Sequence, residues 1–290
     1  MTTTTTRTRP VRRRAPTDNL LWRITRIGLL ITACSIAAFP FYWMLRTSVA
    51  APDSIMLDGL SPIPATVDLS NYARAWTEAN LGRAMVNGAV VTVGILILQL
   101  LTCVPAAYAF AKIQFRGRNA LFGATLACLL IPTQATALPM FLGMASAGLI
   151  NTMAALIIPF ATSAVGIFLM RQHMMTIPDA LLDAAAADGL RTFATLRKVV
   201  IPAAAPAIAT FSVLSIFMHW NEYLWPLLVA RDETLYTPPL ALATFQQVET
   251  GMDYGALAAG AAIITAPIVI LFVIAQRRFV AGIAGGELPG

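Results

Sequence analysis

The sequence predicts an all-α integral membrane protein: six transmembrane helices, with a helix-turn-helix insert between the fourth and fifth. Three observations carry this prediction. Hydrophobic residues are 58% of the 290, charged residues 12%, and the mean hydropathy is +0.72, which exceeds what a soluble fold buries. Apolar runs recur at Ile24–Leu45, Ala84–Ala111, Ala120–Gly143, Met153–Met170, Ala203–Val229 and Gly255–Ala275, each near or above the ~20 residues that cross the hydrocarbon core. The basic residues fall almost entirely on one side of these runs.

Residues 1–21 read as a disordered basic tail, 22–279 as the six-helix membrane domain and 280–290 as a second tail. Arg7, Arg9, Arg12, Arg13 and Arg14 lie among Thr with no aromatic interleaving, the pattern of an inside-retaining segment rather than a nucleic-acid arm. Ile31-Thr32-Ala33-Cys34 has the look of a lipoprotein cleavage box. The apolar run nevertheless continues through Phe39 to Leu45 with no polar mature region, so the segment reads as a retained span with aromatics at its outer interface. Cys34, Cys103 and Cys128 all lie inside spans, where a thiol is a small hydrophobe. Neither disulfides nor metal spacing are indicated, and no cofactor is called for.

Thr47–Arg83 reads as an outside loop, with Asn71 to Trp76 forming a short amphipathic helix. The second span is followed by Lys112, Arg116 and Arg118. Pro132 and Pro139 in the third span read as a packed kink. After the fourth span comes the insert, Arg171–Pro202; after the fifth, an outside loop, Ala230–Tyr254; after the sixth, Arg277 and Arg278. Of the 20 Lys and Arg, only Arg46, Arg74, Arg83 and Arg231 lie on the other side, so both termini are expected in the cytoplasm.

Within the insert, Thr176 and Asp179 have capping-box character and Pro178 suits a first helical turn. Asp179 to Asp188 is almost all Ala and Leu, strong helix formers, and Gly189 is placed to end the helix in a left-handed turn. Thr192 can cap a second segment, with Phe193, Leu196, Val199 and Val200 at helical spacing, until Ile201-Pro202 redirects the chain. A connector lying on the membrane surface would need apolar anchors. Four consecutive alanines offer none, but they let another protein's backbone approach while Asp183 and Asp188 supply charge at the rim. The insert therefore reads as a docking helix.

Catalytic patterns are missing from the sequence: no G-x-x-x-x-G-K-[ST] loop, no G-x-S-x-G elbow and no H-E-x-x-H pair. The chain is not expected to be an enzyme. Its two histidines, His173 and His219, are too far apart to read as a pair.

The pattern of an acid, two alanines, three residues to a glycine and a hydrophobic-Pro pair a dozen residues later resembles the signature loop of ABC importer permeases. Further segments are similar to the carbohydrate-uptake permeases related to the maltose system: Pro40-Phe41-Tyr42-Trp43, Asn71-Tyr72, Asn87, Ala107 to Ala111, Ile131-Pro132, Asn151-Thr152, Trp220 to Pro226 and Gln276 to Gly282. The likeness covers residues 22–290. It implies a plasma-membrane permease that binds no nucleic acid and works in the bilayer with a second homologous permease, two ATP-binding subunits and an extracytoplasmic solute-binding protein, importing a sugar-like small molecule. It assigns ATPase coupling to Asp183, Ala184, Ala185, Asp188, Gly189 and Pro202. The acid pairs with a basic residue of the ATPase, the glycine makes the turn, and Ala184 and Ala185 form the packed face. Asp183 departs from the family's usual Glu, and Glu287-Leu288-Pro289 from its usual tails.

A second candidate site is Trp220-Asn221-Glu222-Tyr223. It begins 18 residues after Pro202, about 27–30 Å along the fifth helix and so near the outer boundary. Glu222 is the one carboxylate within a span, and such an acid is a functional candidate by default. Two readings stand: an interfacial Trp/Tyr belt with Glu222 in water, or a polar lining of the translocation path or outer gate, where aromatic faces and carboxylates suit sugar rings. The rival functions are a secondary carrier, which calls for coupling charges near the midplane that the spans hardly supply and for repeated halves that are not visible, and a membrane scaffold.

Overall fold

The structure is a computed structural model and describes residues 20–57, 61–247 and 251–284. Residues 1–19 of the expected tail 1–21 and the Glu287-Leu288-Pro289 segment lie outside them, while Leu20 and Leu21 already belong to the first helix. Three helices are long and apolar enough to cross a membrane unbroken: α1 (Leu20–Ser48), α4 (Leu81–Lys112) and α15 (Tyr254–Ala284). The short α2 (Pro52–Leu57) and α3 (Ser70–Glu78) lie in the loop between α1 and α4. α15 runs through to Ala284, so the expected boundary at 280 falls within a helix.

The remaining crossings are broken rather than continuous, which corrects the sequence reading. The third is α5 (Arg118–Ala127) and α6 (Thr133–Ser146), bent by 102° across Ile131-Pro132. The cause is local: Pro132 lacks an N–H and pushes Ile131 into extended backbone (ψ 117°). The expected packed kink is thus a sharp break, while Pro139 sits within α6. The fourth is α7 (Met153–Ile157) and α8 (Ala164–Met175), bent by 42°, with Ser163 capping α8 by accepting from the Gly166 N–H at 3.1 Å. The fifth, α12 (Ala205–Trp220), ends at Asn221–Tyr223, and α13 (Leu224–Val229) follows. The third bent pair is Thr192–Ala203 with α12, at 78°; counting each bent pair as one crossing, the described residues make up to six.

α4 is the central post, about 48 Å long for its 32 residues. It packs on α8 and α12, while α1 packs on α15 at the periphery. Since lipid tails are as apolar as the side chains, close contact rather than the hydrophobic effect holds such helices together. Gly166 illustrates it: a Cβ there would lie 2.6 Å from the Phe211 ring, so α8 and α12 meet this closely because residue 166 has no side chain.

The Leu81 end of α4 is clasped by buried asparagines. Asn71 donates to the carbonyls of Ser48 and Ala50 (3.1 and 2.9 Å), and Asn87 to those of Thr234 and Tyr236 (2.9 and 3.0 Å), just before the short α14 (Pro238–Ala241). Asn151, at φ 62°, accepts from the N–H groups of Arg231 and Asp232. Among the described residues, strand pairing amounts to Gln246–Gln247 against Gly251–Met252 and the bridge Ala50–Val67.

Candidate functional site

At the Lys112 end of α4 the insert folds as a short helix, a turn and a second helical segment. α9 (Asp179–Ala187) closes with Gly189 at φ +75°. The Gly189 N–H donates to the Ala186 carbonyl and the Leu190 N–H to the Ala185 carbonyl, each at 3.0 Å. This is the paired Schellman pattern, satisfying carbonyls that a helix end leaves open. α10 (Thr192–Thr195), a π-helical turn over Leu196–Val200 and α11 (Ile201–Ala203, with Pro202) then lead through a 78° bend at Ala204 into α12.

The expected caps do not form. Thr176 ends α8, bonding back to the His173 carbonyl at 2.8 Å, and the residues preceding α9 and α10 are Pro178 and Arg191. In place of a capping box, Lys112 Nζ holds the start of α9, donating to the Ile177 carbonyl at 2.6 Å and to Asp179 Oδ1 at 2.7 Å. The two alanines of the signature divide. Ala185 is buried, α9 packing on the second helical segment of the insert, whereas Ala184 is exposed with Asp183, Asp188 and Gly189. Adjacent helical positions point about 100° apart, so the pair cannot both serve one face. Leu181 and Phe193 extend the outward surface with exposed apolar side chains.

The second candidate site lies at the break in the fifth crossing. Trp220 is buried, and its indole N–H donates to the Ile264 carbonyl on α15 at 2.9 Å. Asn221 is exposed and bonds back to the Phe217 carbonyl at 2.7 Å, and Tyr223 is exposed. Glu222 Oε1 accepts from the Trp225 N–H at 3.1 Å and so caps α13, while the Trp225 indole N–H donates to the Ala155 carbonyl at 2.9 Å. The four residues therefore do not line one surface; Trp220 points into the bundle.

Glu222 instead joins residues far away in sequence. A cavity of about 100 Å³ lies where the three broken crossings meet, walled by Thr133, Gln134, Ala137 and Met140 of α6, by Phe160 and by Glu222, Leu224 and Trp225. Glu222 also shares a smaller cavity with Ile95, near the centre of α4. That smaller cavity is also lined by Val91 of α4 and by Thr237.

Beneath this cavity is a polar network that sequence reasoning missed. Gln99 Nε2 donates to the Phe160 carbonyl at 3.1 Å and faces His219 Nε2 at 3.1 Å, while Ser215 donates to Gln99 Oε1 at 2.7 Å. The signal was present: Gln99 is an amide within an otherwise apolar run, and such a residue implies an interhelical partner.

The chain matches, over residues 103–285, the family described as binding-protein-dependent transport system inner membrane component. It is 35% identical to the arabinooligosaccharides transport system permease protein AraQ of Halalkalibacterium halodurans, over 93% of this chain and 97% of that protein. To the trehalose transport system permease protein SugB of Mycobacterium tuberculosis it is 32% identical, over 88% of this chain and 93% of that protein. Its fold superposes with a TM-score of 0.80, at 25% identity, on a chain of a bacterial ABC transporter involved in the import of the acidic polysaccharide alginate, covering 92% of this chain and 99% of that one.

Proposed function

Because the chain belongs to the family of binding-protein-dependent transport system inner membrane components, we propose that it moves a sugar or sugar-like solute by alternating access driven through its Arg171–Pro202 insert. It is a membrane-spanning permease subunit of an ATP-driven (ABC) importer of the carbohydrate-uptake type. ATP hydrolysis belongs in this reading to two partner subunits docked on the insert. A second, homologous permease closes the pathway, since the cavity at the helix breaks opens out of this chain. An extracytoplasmic binding protein delivers the solute to the opposite face, and both termini lie in the cytoplasm.

One observation carries the coupling assignment: α9 is fastened inward by Ala185 and Lys112 yet presents Asp183, Ala184 and Asp188 outward at a fixed turn. A helix held so transmits a push on its outer face into α4 through Lys112 and into the second segment of the insert, rather than swinging freely. Asp183 is the proposed partner of a basic residue on the ATPase, and Gly189 and Pro202 set the angles between the segments. Asp183→Lys tests it in the complete importer. Insertion should be normal, because Asp183 is exposed and outside the spans, while solute uptake falls at least tenfold, since like charges meet at the docking surface. Unchanged uptake and unchanged ATPase stimulation by the binding protein would remove the insert from the mechanism.

A further inference from the structure

We propose that the cavity at the three helix breaks is a hydroxyl-binding niche that favours neutral sugars and excludes anionic ones, with Glu222 and Gln134 as its specificity-determining residues. The proposal rests on the reading that Glu222 faces the translocation path.

The size of the cavity limits what enters. About 100 Å³ is room for roughly three waters at ~30 Å³ each. It therefore takes the hydroxyl edge of one sugar ring, not a whole ring. Its polar groups come from separate elements: the Glu222 carboxylate from the break after α12, and Gln134 with Thr133 from the first turn of α6. Glu222 spends Oε1 on the Trp225 N–H, which fixes the direction of the carboxylate without exhausting its acceptor capacity. A carboxylate beside an amide and a hydroxyl accepts from, and donates to, vicinal hydroxyls. Phe160 and Trp225 supply apolar walls against which the C–H face of a ring can rest.

The sign of the site follows from the same lining. None of the residues around the cavity is cationic. His219, which shares the adjoining smaller cavity with Glu222, has its Nε2 opposite the Gln99 amide N–H. It accepts there, and an imidazolium could not. A uronate or phosphate on the solute would thus meet an uncompensated carboxylate in a medium where charges are poorly screened. A neutral hydroxyl would meet an acceptor.

The test compares two probes within one importer. The cognate binding protein has preferences of its own, but these cancel when the ratio of uptake rates is compared between variants. The probes are trehalose and lactose, each beside its C6 uronate; the pair whose neutral member is taken up faster by the wild type is used. Glu222→Gln removes the charge and should shift the neutral-to-uronate ratio at least tenfold toward the uronate. Gln134→Glu adds a second carboxylate and should shift it the other way, and it decides the matter if Glu222→Gln does not assemble with its partners. A uniform fall in uptake of both probes would leave Glu222 on the path but overturn the selection proposed here. Unchanged uptake of both in Glu222→Gln would overturn the path reading itself.

Discussion

Gln99 and His219 face each other across the α4–α12 contact, Nε2 to Nε2 at 3.1 Å, and the Phe160 carbonyl decides which of them donates. A carbonyl can only accept, so the Gln99 amide nitrogen must point toward it. The second N–H of that nitrogen then meets His219 Nε2, and Ser215 completes the set by donating to Gln99 Oε1 at 2.7 Å. One buried amide thereby ties together α4, the break between α7 and α8, and α12 just before its own break.

Gln99→Leu is expected to lower the thermal stability of the purified complex. It removes two donors and an acceptor, leaving the Phe160 carbonyl and the Ser215 hydroxyl without this partner inside the membrane domain. Interhelical bonds of this kind average about 0.6 kcal/mol and reach about 1.7, so the three together are worth about 2–5 kcal/mol. A melting temperature indistinguishable from wild type, followed by tryptophan fluorescence in detergent, would mean that water or neighbouring groups replace the network.

Gly166→Val should destabilise the α8–α12 contact by about 1–3 kcal/mol through overpacking, because a Cβ at residue 166 would lie 2.6 Å from the Phe211 ring. Phe211→Leu in the same chain should restore part of the loss by vacating that space. Equal melting temperatures for the single and double variants would show that the helices shift apart instead of clashing.

At Lys112 the two bonds are unequal. Asp179 has an 80% exposed side chain, and an ion pair on a wet surface contributes about 0–1 kcal/mol. The bond to the Ile177 carbonyl is charge-assisted and made by a side chain only 9% exposed, worth about 1.5–3 kcal/mol. Asp179→Asn should therefore leave transport nearly intact, whereas Lys112→Met should loosen α9 from α4 and reduce uptake severalfold while the ATPase still co-purifies. Equal effects of the two variants would contradict this ranking.

How far the sequence revealed these features depends on how local their causes are. Gly189 was legible because a left-handed turn after an Ala-rich helix has few other residues to make it, and α3 because its amphipathic pattern is self-contained. The inward role of Ala185 was not, since two adjacent alanines look alike until the helix is docked. Thr176 and Asp179 suggested a capping box, but Lys112, 67 positions before Asp179, took that place. Pro132 signalled a bend without giving its size. The meeting of Thr133, Phe160 and Glu222 was invisible, because it requires three separately broken helices to be brought together. Asn151 could be quoted as a family motif, yet its left-handed backbone and its bonds to Arg231 and Asp232 belong to the folded loops.

The insert and the α1–α4 loop lie at opposite ends of α4, and the basic asymmetry predicts that the insert faces the cytoplasm. Phe193 on the insert and Ile63 in the loop are 75% and 73% exposed, so a cysteine at either is open to a membrane-impermeant maleimide. In a background with Cys34, Cys103 and Cys128 replaced by Ala, Ile63→Cys is expected to label in intact cells. Phe193→Cys should label only after the cells are opened or in inside-out vesicles. The contrast needs both variants: a single unlabelled site could be shielded by the binding protein or the ATPase, but a reversed pair could not. Labelling of Phe193→Cys from outside together with protection of Ile63→Cys would invert the topology. It would also put the insert beyond the reach of a cytoplasmic ATPase.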